Sequence, residues 1–300
     1  MPSELSEEER QQFIRAGKIS AEALAYGKSL IKPGVRVVDV LDRIEEKIAA
    51  LGGGCAFPPQ ISLNDVAAHA CPDADDPMIL EDQLIKLDLG AHVGGAVTDT
   101  AVTIDLSGSW GELVKATREA LDAALKLAVP GTNIGDIGKT IQEVIQSHGF
   151  QPVRNLSGHG IGHFTIHTAP SIPNIDTGDQ RKLEEGMTIA IEPFASTGAG
   201  FVYESGAAGV LMLAAKKPVR STITREVLQH IGQYQGLPFA RKWLTRAFGS
   251  GKTNFALRQL TTQLGILQEY PPLVDRSHGM VSQAEASVLI AEKPVVLTKV

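Results

Sequence analysis

The stretch "LDLGAHVGGAVTD", from Leu87 to Asp99, has the pattern of an apolar β-hairpin with an aspartate on each arm. Ile85, Leu87 and Leu89 alternate with Lys86 and Asp88, the period of a strand. Gly94 and Gly95 supply the turn, because glycine tolerates the positive φ of a tight hairpin. With the turn centred between Val93 and Gly94, Asp88 and Asp99 are expected directly opposite each other. Their Cβ atoms would then lie about 4.5–5.5 Å apart on one face. Two ionised carboxylates so placed repel, and burial sharpens the conflict. Three resolutions remain open: solvated aspartates on an edge hairpin, a pair sharing one proton, or a cation between them.

Before the hairpin, Ser6 and Glu9 have the spacing of a capping box, so a helix is expected from there to about Lys28. Val37, Val40, Leu41, Ile44 and Ile48 recur at helical spacing ahead of Gly52. "CAFPPQISLND" follows as a Pro-rich loop, and a further helix is expected over Glu112–Leu127. The chain then repeats itself. "KPGVRVVDVLDRIEEKIAALGG" (Lys32–Gly53) aligns without gaps to "VPGTNIGDIGKTIQEVIQSHGF" (Val129–Phe150). Such a period is too long for a solenoid and suggests two similar α/β halves with a site at their junction. The second half supplies a counterpart to Asp88: "GMTIAIEPF" is an apolar strand interrupted by Glu192. Helical spacing with short breaks marks an insert at about 207–268, after which strand-like sequence returns and ends in an apolar terminal strand. "GSGKT" (Gly249–Thr253) lacks the first glycine of a phosphate-binding loop, since Arg246 stands there, and is expected as a turn between helices.

Composition sets the outer bounds. The 300 residues are 43% hydrophobic and 21% charged, ordinary for a globular protein. A net charge of −6 argues against nucleic acid as a direct partner. Cys55 and Cys71 form no C-x-x-C pair and fit a reducing compartment. The start of the chain, "MPSELSEEERQQF", is polar and acidic with no apolar signal region, and no apolar stretch reaches membrane-span length. A cytoplasmic protein is expected.

"NLSGHGIGHFTIH" adds His159, His163 and His167, with glycines that let the backbone approach a site. Glu285 in "VSQAEASVLI" is a carboxylate among small residues. Asp88, Asp99, His159, Glu192 and Glu285 together form a hard, oxygen-rich set suited to two divalent cations. A cation between the aspartates then resolves the hairpin. A structural calcium site would also take carboxylates, but has no need of His159.

These segments resemble methionine aminopeptidases of the pita-bread fold shared with prolidase and creatinase. The matching stretches are "FPPQISLNDVAAHACP", "LDLGAHVGGAVTDTAVT", "LSGHGIGHFTIHTAPSIPN", "AIEPFASTGAG" and "VSQAEASVL". The insert before the last motif resembles the type II subclass, in its archaeal form. The resemblance implies a single α/β (α+β) catalytic domain over 1–300, with two pseudo-symmetric halves and two divalent metal ions drawn from cobalt, manganese, iron or zinc. It implies Asp88, Asp99, His159, Glu192 and Glu285 as metal ligands and His69, His167 and Glu192 as catalytic residues. Phe57 and Ile166 would line a methionine side-chain pocket beside His69 and His167. The reaction implied is removal of N-terminal methionine, with a preference for a small second residue. The implied partners are nascent polypeptide N-termini, with transient proximity to the ribosome, no membrane, and a monomeric protein. "GHGIGHF" departs from relatives' spelling at His163, which is expected to be a bystander. The rival readings are an Xaa-Pro dipeptidase on the same fold and a binding homologue without catalysis.

Overall fold

The computed structural model describes residues 5–299. The first residues of the acidic N-terminal stretch (1–4) and the last residue of the expected terminal strand (300) lie outside them. Helix α1 (Glu7–Leu30) opens on the expected capping box: the Ser6 hydroxyl accepts from the Glu9 N–H, and the Glu9 carboxylate accepts from the Ser6 N–H at 2.8 Å. Helices α2 (Val37–Ala50), α3 (Gly111–Lys126) and α4 (Ile134–Ser147) follow near their expected positions.

The principal sheet is antiparallel. Its long strands are β1 (Gly54–Leu63), β2 (Leu84–Val93), β3 (Thr100–Asp105), β4 (Ser157–Gly162), β5 (Thr165–Pro173), β6 (Thr188–Ile191) and β7 (Glu285–Leu289). They lie in the order β1-β2-β3-β7-β6-β4-β5. The helices cover one face. Ile85, Leu87 and Leu89 of β2 bury against Leu41, Ile44 and Ile48 of α2. Ile189 and Ile191 of β6 bury against Ile137, Ile141 and Ile145 of α4. Each such side chain contributes about 1.5–3 kcal/mol on burial. The alternate residues of the same strands therefore point to the opposite face.

The internal repeat is reproduced in the backbone. The Gly34 N–H donates to the Leu80 carbonyl at 2.7 Å, and Gly131 donates to Leu183 at 2.8 Å. Leu80 and Leu183 return the bond to Val35 and Thr132, each at 2.9 Å. Both helix entries are thus pinned in the same way to the segment that leads into a later strand, β2 in one half and β6 in the other.

Three expectations need correction. "CAFPPQISL" is strand β1, not a loop: Pro58 and Pro59 lack N–H donors, and the register slips around them. A strand at the sheet edge tolerates that loss. In the hairpin, Val93 pairs with Ala96, with Gly94 (φ +59°) and Gly95 (φ +99°) as the turn. Asp88 therefore faces Ala101 and not Asp99, which lies two positions away on the same face. In "GSGKT", Gly249 (φ +77°) is the break, and Ser250 already begins helix α7.

Residues 207–268 contain helices α5 (Thr222–Ile231), α6 (Arg241–Phe248) and α7 (Ser250–Arg258). They also hold most of a small sheet: Val210–Leu213 pairs with Phe239–Ala240 and with Leu267–Tyr270. Phe239, Leu244, Leu257 and Leu260 give this region a core of its own.

Candidate metal centre

Strand register builds the site. Across the sheet, Gln60 pairs with Asp88, Asp88 with Ala101, and Ala101 with Glu285. Continuing the pairing of Ala286 with Ile191 sets Glu192 opposite Glu285. Two positions along the strands, His159 pairs with Ala190, and Ala190 with Ser287. The Ser287 hydroxyl accepts from the Asp99 N–H and donates to the Asp99 carbonyl, each at 2.8 Å. That clamp holds Asp99 where the chain leaves the ladder. Two adjacent cross-strand rows thus place four carboxylates and one imidazole on one face, with small Ala101 leaving space among them.

Asp99, His159 and Glu285 can each offer a ligand atom within 4.8 Å of the others. The His159 Nε2 lies 3.5 Å from Asp99 Oδ2 and 3.8 Å from Glu192 Oε1. Its Nδ1 is 3.1 Å from the Gly160 carbonyl, which can only accept, so Nδ1 carries the proton and Nε2 presents a lone pair. The cluster is nevertheless starved of donors. Asp88 Oδ1, Asp99 Oδ1 and both Glu285 oxygens are buried without hydrogen-bond partners. Burial first, then the neighbouring carboxylates, drive Asp88, Glu192 and Glu285 well above the usual range. Burial raises Asp99 to about 7 and lowers His159 to about 4. Four unpaired acceptors around an imidazole lone pair fit a divalent cation, which neutralises the charge and occupies the acceptors together.

The cluster lines a cavity of about 490 Å³. Phe57 and Ile166, both buried, form apolar wall, and His69 and His167 also line the cavity. The His167 ring meets His159 edge-on at 4.4 Å. It lines the cavity, where burial first and then neighbouring His159 lower its pKa to about 4. His69 has φ +68°, a conformation a non-glycine residue holds only when its surroundings impose it. Its N–H donates to Gln60 Oε1 at 2.8 Å, its ring packs edge-on to Tyr270 at 5.6 Å, and burial lowers its pKa to about 4. His163 is exposed, packs on Phe164, and does not line the cavity.

The sequence reading missed Gln60, Gln283 and Tyr270. Gln283 is buried with its amide beside Asp88 and Glu192, and neither its Nε2 nor its Oε1 has a hydrogen-bond partner. Its position two residues before Glu285, across the one-residue break between two strands, was the available signal. Tyr270 had none, because it reaches the site through the fold of the insert. The glycines flanking His159 also serve a different purpose from the one expected. A Cβ at Gly158 would overlap the Ala190 carbonyl, and one at Gly160 the Ala169 carbonyl. They admit neighbouring strands, not a ligand.

Residues 11–220 match metallopeptidase family M24. The chain belongs to that family. A methionine aminopeptidase of Methanocaldococcus jannaschii is 40% identical over 96% of this chain and 97% of its own length. Methionine aminopeptidase 2 of Neurospora crassa is 34% identical over 95% of this chain and 71% of its own. Among solved structures, the methionine aminopeptidase of Thermotoga maritima superposes with a TM-score of 0.72 at 25% identity, each chain covered in full. A thermophilic Arx1 superposes with a TM-score of 0.85 at 16% identity, covering 98% of this chain and 91% of that one, which is a likeness of fold. The M24 peptidase has the pita-bread fold, and its acid–histidine cluster supports use of a divalent metal. No helix among the described residues is long and apolar enough to cross a membrane.

Proposed function

We propose that this chain is a metal-dependent methionine aminopeptidase of the type II subclass, preferring a small second residue. The observation that carries the reading is the partnerless carboxylate cluster around His159 at the base of a cavity walled by Phe57 and Ile166. Asp88, Asp99, His159, Glu192 and Glu285 would hold two divalent cations. Cobalt, manganese, iron and zinc all accept this donor set. Bound cations supply Lewis acidity and a water acidic enough to deprotonate near neutral pH. The chain's own groups do the rest. Phe57 and Ile166 bury the methionine side chain, a soft apolar group. His167 donates a hydrogen bond to the oxygen of the carbonyl under attack, and that bond strengthens as charge develops. His69 hydrogen-bonds the scissile amide, and Glu192 carries a proton to the leaving amine.

We take the chain as one catalytic domain with a helical insert at about 207–268, whose Val210 and Pro238 reach the cavity wall. The substrates are nascent N-termini, met in the cytoplasm close to the ribosome by a monomeric enzyme. The test is release of methionine from Met-Ala-Ser with each added metal, beside Ala-Pro as a dipeptidase substrate. Methionine release that depends on metal is expected. Cleavage of Ala-Pro alone would instead assign a prolidase, and neither activity with metal bound would assign a binding homologue.

A further inference from the structure

Between Ala207 and Gln268, nine lysines and arginines stand against one acid, Glu226. The segment carries +8 and the rest of the chain −14, within the overall −6. A whole-chain net charge averages over this division and conceals it.

The nine cations divide again. Lys242, Arg246 and Arg241 turn inward and pair with Asp42, Glu45 and Asp73 of the acidic body. Lys216, Lys217, Arg220, Arg225, Lys252 and Arg258 are all exposed, and none pairs with an acid among the described residues. They are drawn together by packing. The Thr224 hydroxyl donates to Gln259 Oε1 at 2.6 Å, tying the start of α5 to the end of α7. Lys217 Nζ donates to the Leu264 carbonyl, bringing the basic loop to the same end. On α7, Lys252, Phe255 and Arg258 recur every third residue on the outer surface, and Phe255 is 48% exposed.

We propose that this outward face binds structured RNA through its phosphate backbone. Unpaired cations attract a polyanion and release its counterions on binding. An exposed aromatic ring between two cations adds a stacking surface for an unpaired base. A membrane surface fits less well, because it requires an amphipathic apolar face, and Ile223 and Phe255 are the large exposed hydrophobics of this segment. An acidic polypeptide would meet the same charge without using the ring. The proposal rests on the nascent-chain reading only for where such RNA is met. RNA binding and peptidase activity are measured separately, so the failure of one does not imply the failure of the other.

The experiment is fluorescence anisotropy of a labelled 30-nucleotide RNA hairpin with full-length protein between 50 and 200 mM salt. Six phosphate contacts predict an affinity loss of about 10³-fold over that range. Lys216→Gln/Lys217→Gln/Arg220→Gln should weaken binding at least tenfold and cut the salt loss to about 40-fold. Lys252→Gln/Arg258→Gln should act in the same direction, and Phe255→Ala should weaken binding to a hairpin with an unpaired loop but not to one with a minimal loop. Peptidase activity should be unchanged in all of them. No binding at 50 mM salt, or a salt dependence unaltered by the triple variant, would overturn the proposal. Displacement of the RNA by polyglutamate at equal charge would overturn it in favour of an acidic polypeptide.

Discussion

Two acid clusters among the described residues, one half-buried and one buried, are solved in opposite ways. At the junction of α2 with the insert, the chain supplies its own cations. Lys242, with no exposed side-chain surface, lies 2.8 Å from Asp42 and 2.7 Å from Glu45. Arg246 grips Asp42 through both terminal nitrogens, and the Trp243 indole donates to Glu45 at 2.9 Å. At the metal centre, Asp88, Asp99, Glu192 and Glu285 share a neutral imidazole and no cationic side chain. Desolvation penalises both clusters. Where the countercharge is covalently present, the cluster is a structural fastener. Where it is missing, the fold holds the charge for something that arrives from outside.

The largest effects should come from attacking the second cluster. Asp99→Asn keeps the shape and removes a charge, so metal affinity measured by calorimetry should fall by more than about 100-fold. Methionine release should fall with it. The metal-free variant should unfold at a temperature equal to or above that of metal-free wild type, because one repelling buried charge is gone. Full metal occupancy, or a collapse of the metal-free fold, would erase the distinction between the clusters.

The same operation at the junction should have the opposite sign. Lys242→Met leaves Asp42 and Glu45 facing each other in a half-buried site. Breaking a buried pair from one side costs about 3–5 kcal/mol, which urea unfolding would resolve. Adding Glu45→Gln should recover part of that loss. A Lys242→Met protein as stable as wild type would mean that these ion pairs contribute nothing.

A smaller effect separates the histidines around the metal centre. His167→Ala should lower kcat by about 10²-fold with little change in KM, the signature of a hydrogen bond that strengthens in the transition state. His163→Ala should leave both unchanged, since its ring packs on Phe164 at 4.9 Å, away from the cavity. Equal losses in the two variants would assign that loop a different role.

Much of this contrast was legible in the sequence, and the reason lies in local chemistry. Asp88 and Glu192 stand out because a carboxylate interrupts an apolar strand. The repeat exposed the two halves because helix periodicity and turn glycines are local properties. What was misread depended on neighbours in space. Pro58 and Pro59 indicated a loop until the edge position of β1 explained them. The residue facing Asp88 depended on whether the turn centred before Gly94 or between Gly94 and Gly95. Tyr270 and the small sheet of the insert are set by long-range pairing, and Lys242 gives no hint in sequence that its partners lie about two hundred positions away on α2.

The smallest effect is a pH dependence internal to the junction. Burial works against the Asp42 carboxylate, but hydrogen bonds from Arg246 and Lys242 outweigh it, so its pKa lies below the usual value of 3.8. A carboxyl depressed in the folded state binds fewer protons folded than unfolded. Its contribution is therefore complete above pH 3.8 and disappears as pH falls through the folded value. Because Asp42 keeps substantial solvent contact, the contribution is about 1 kcal/mol. Glu45 has the opposite sign. It is more deeply buried and lacks the two-pronged arginine, so burial raises its pKa above 4.5 despite Lys242. Its contribution is complete below pH 4.5 and is lost as pH rises through the folded value. Urea titrations across pH 2–7 should then show Asp42→Asn flattening the acid limb of the stability curve and Glu45→Gln flattening the limb above pH 4.5. If both variants flattened the same limb, the two carboxylates would be sharing Lys242 as equals, and the bidentate Arg246 would not be what distinguishes them.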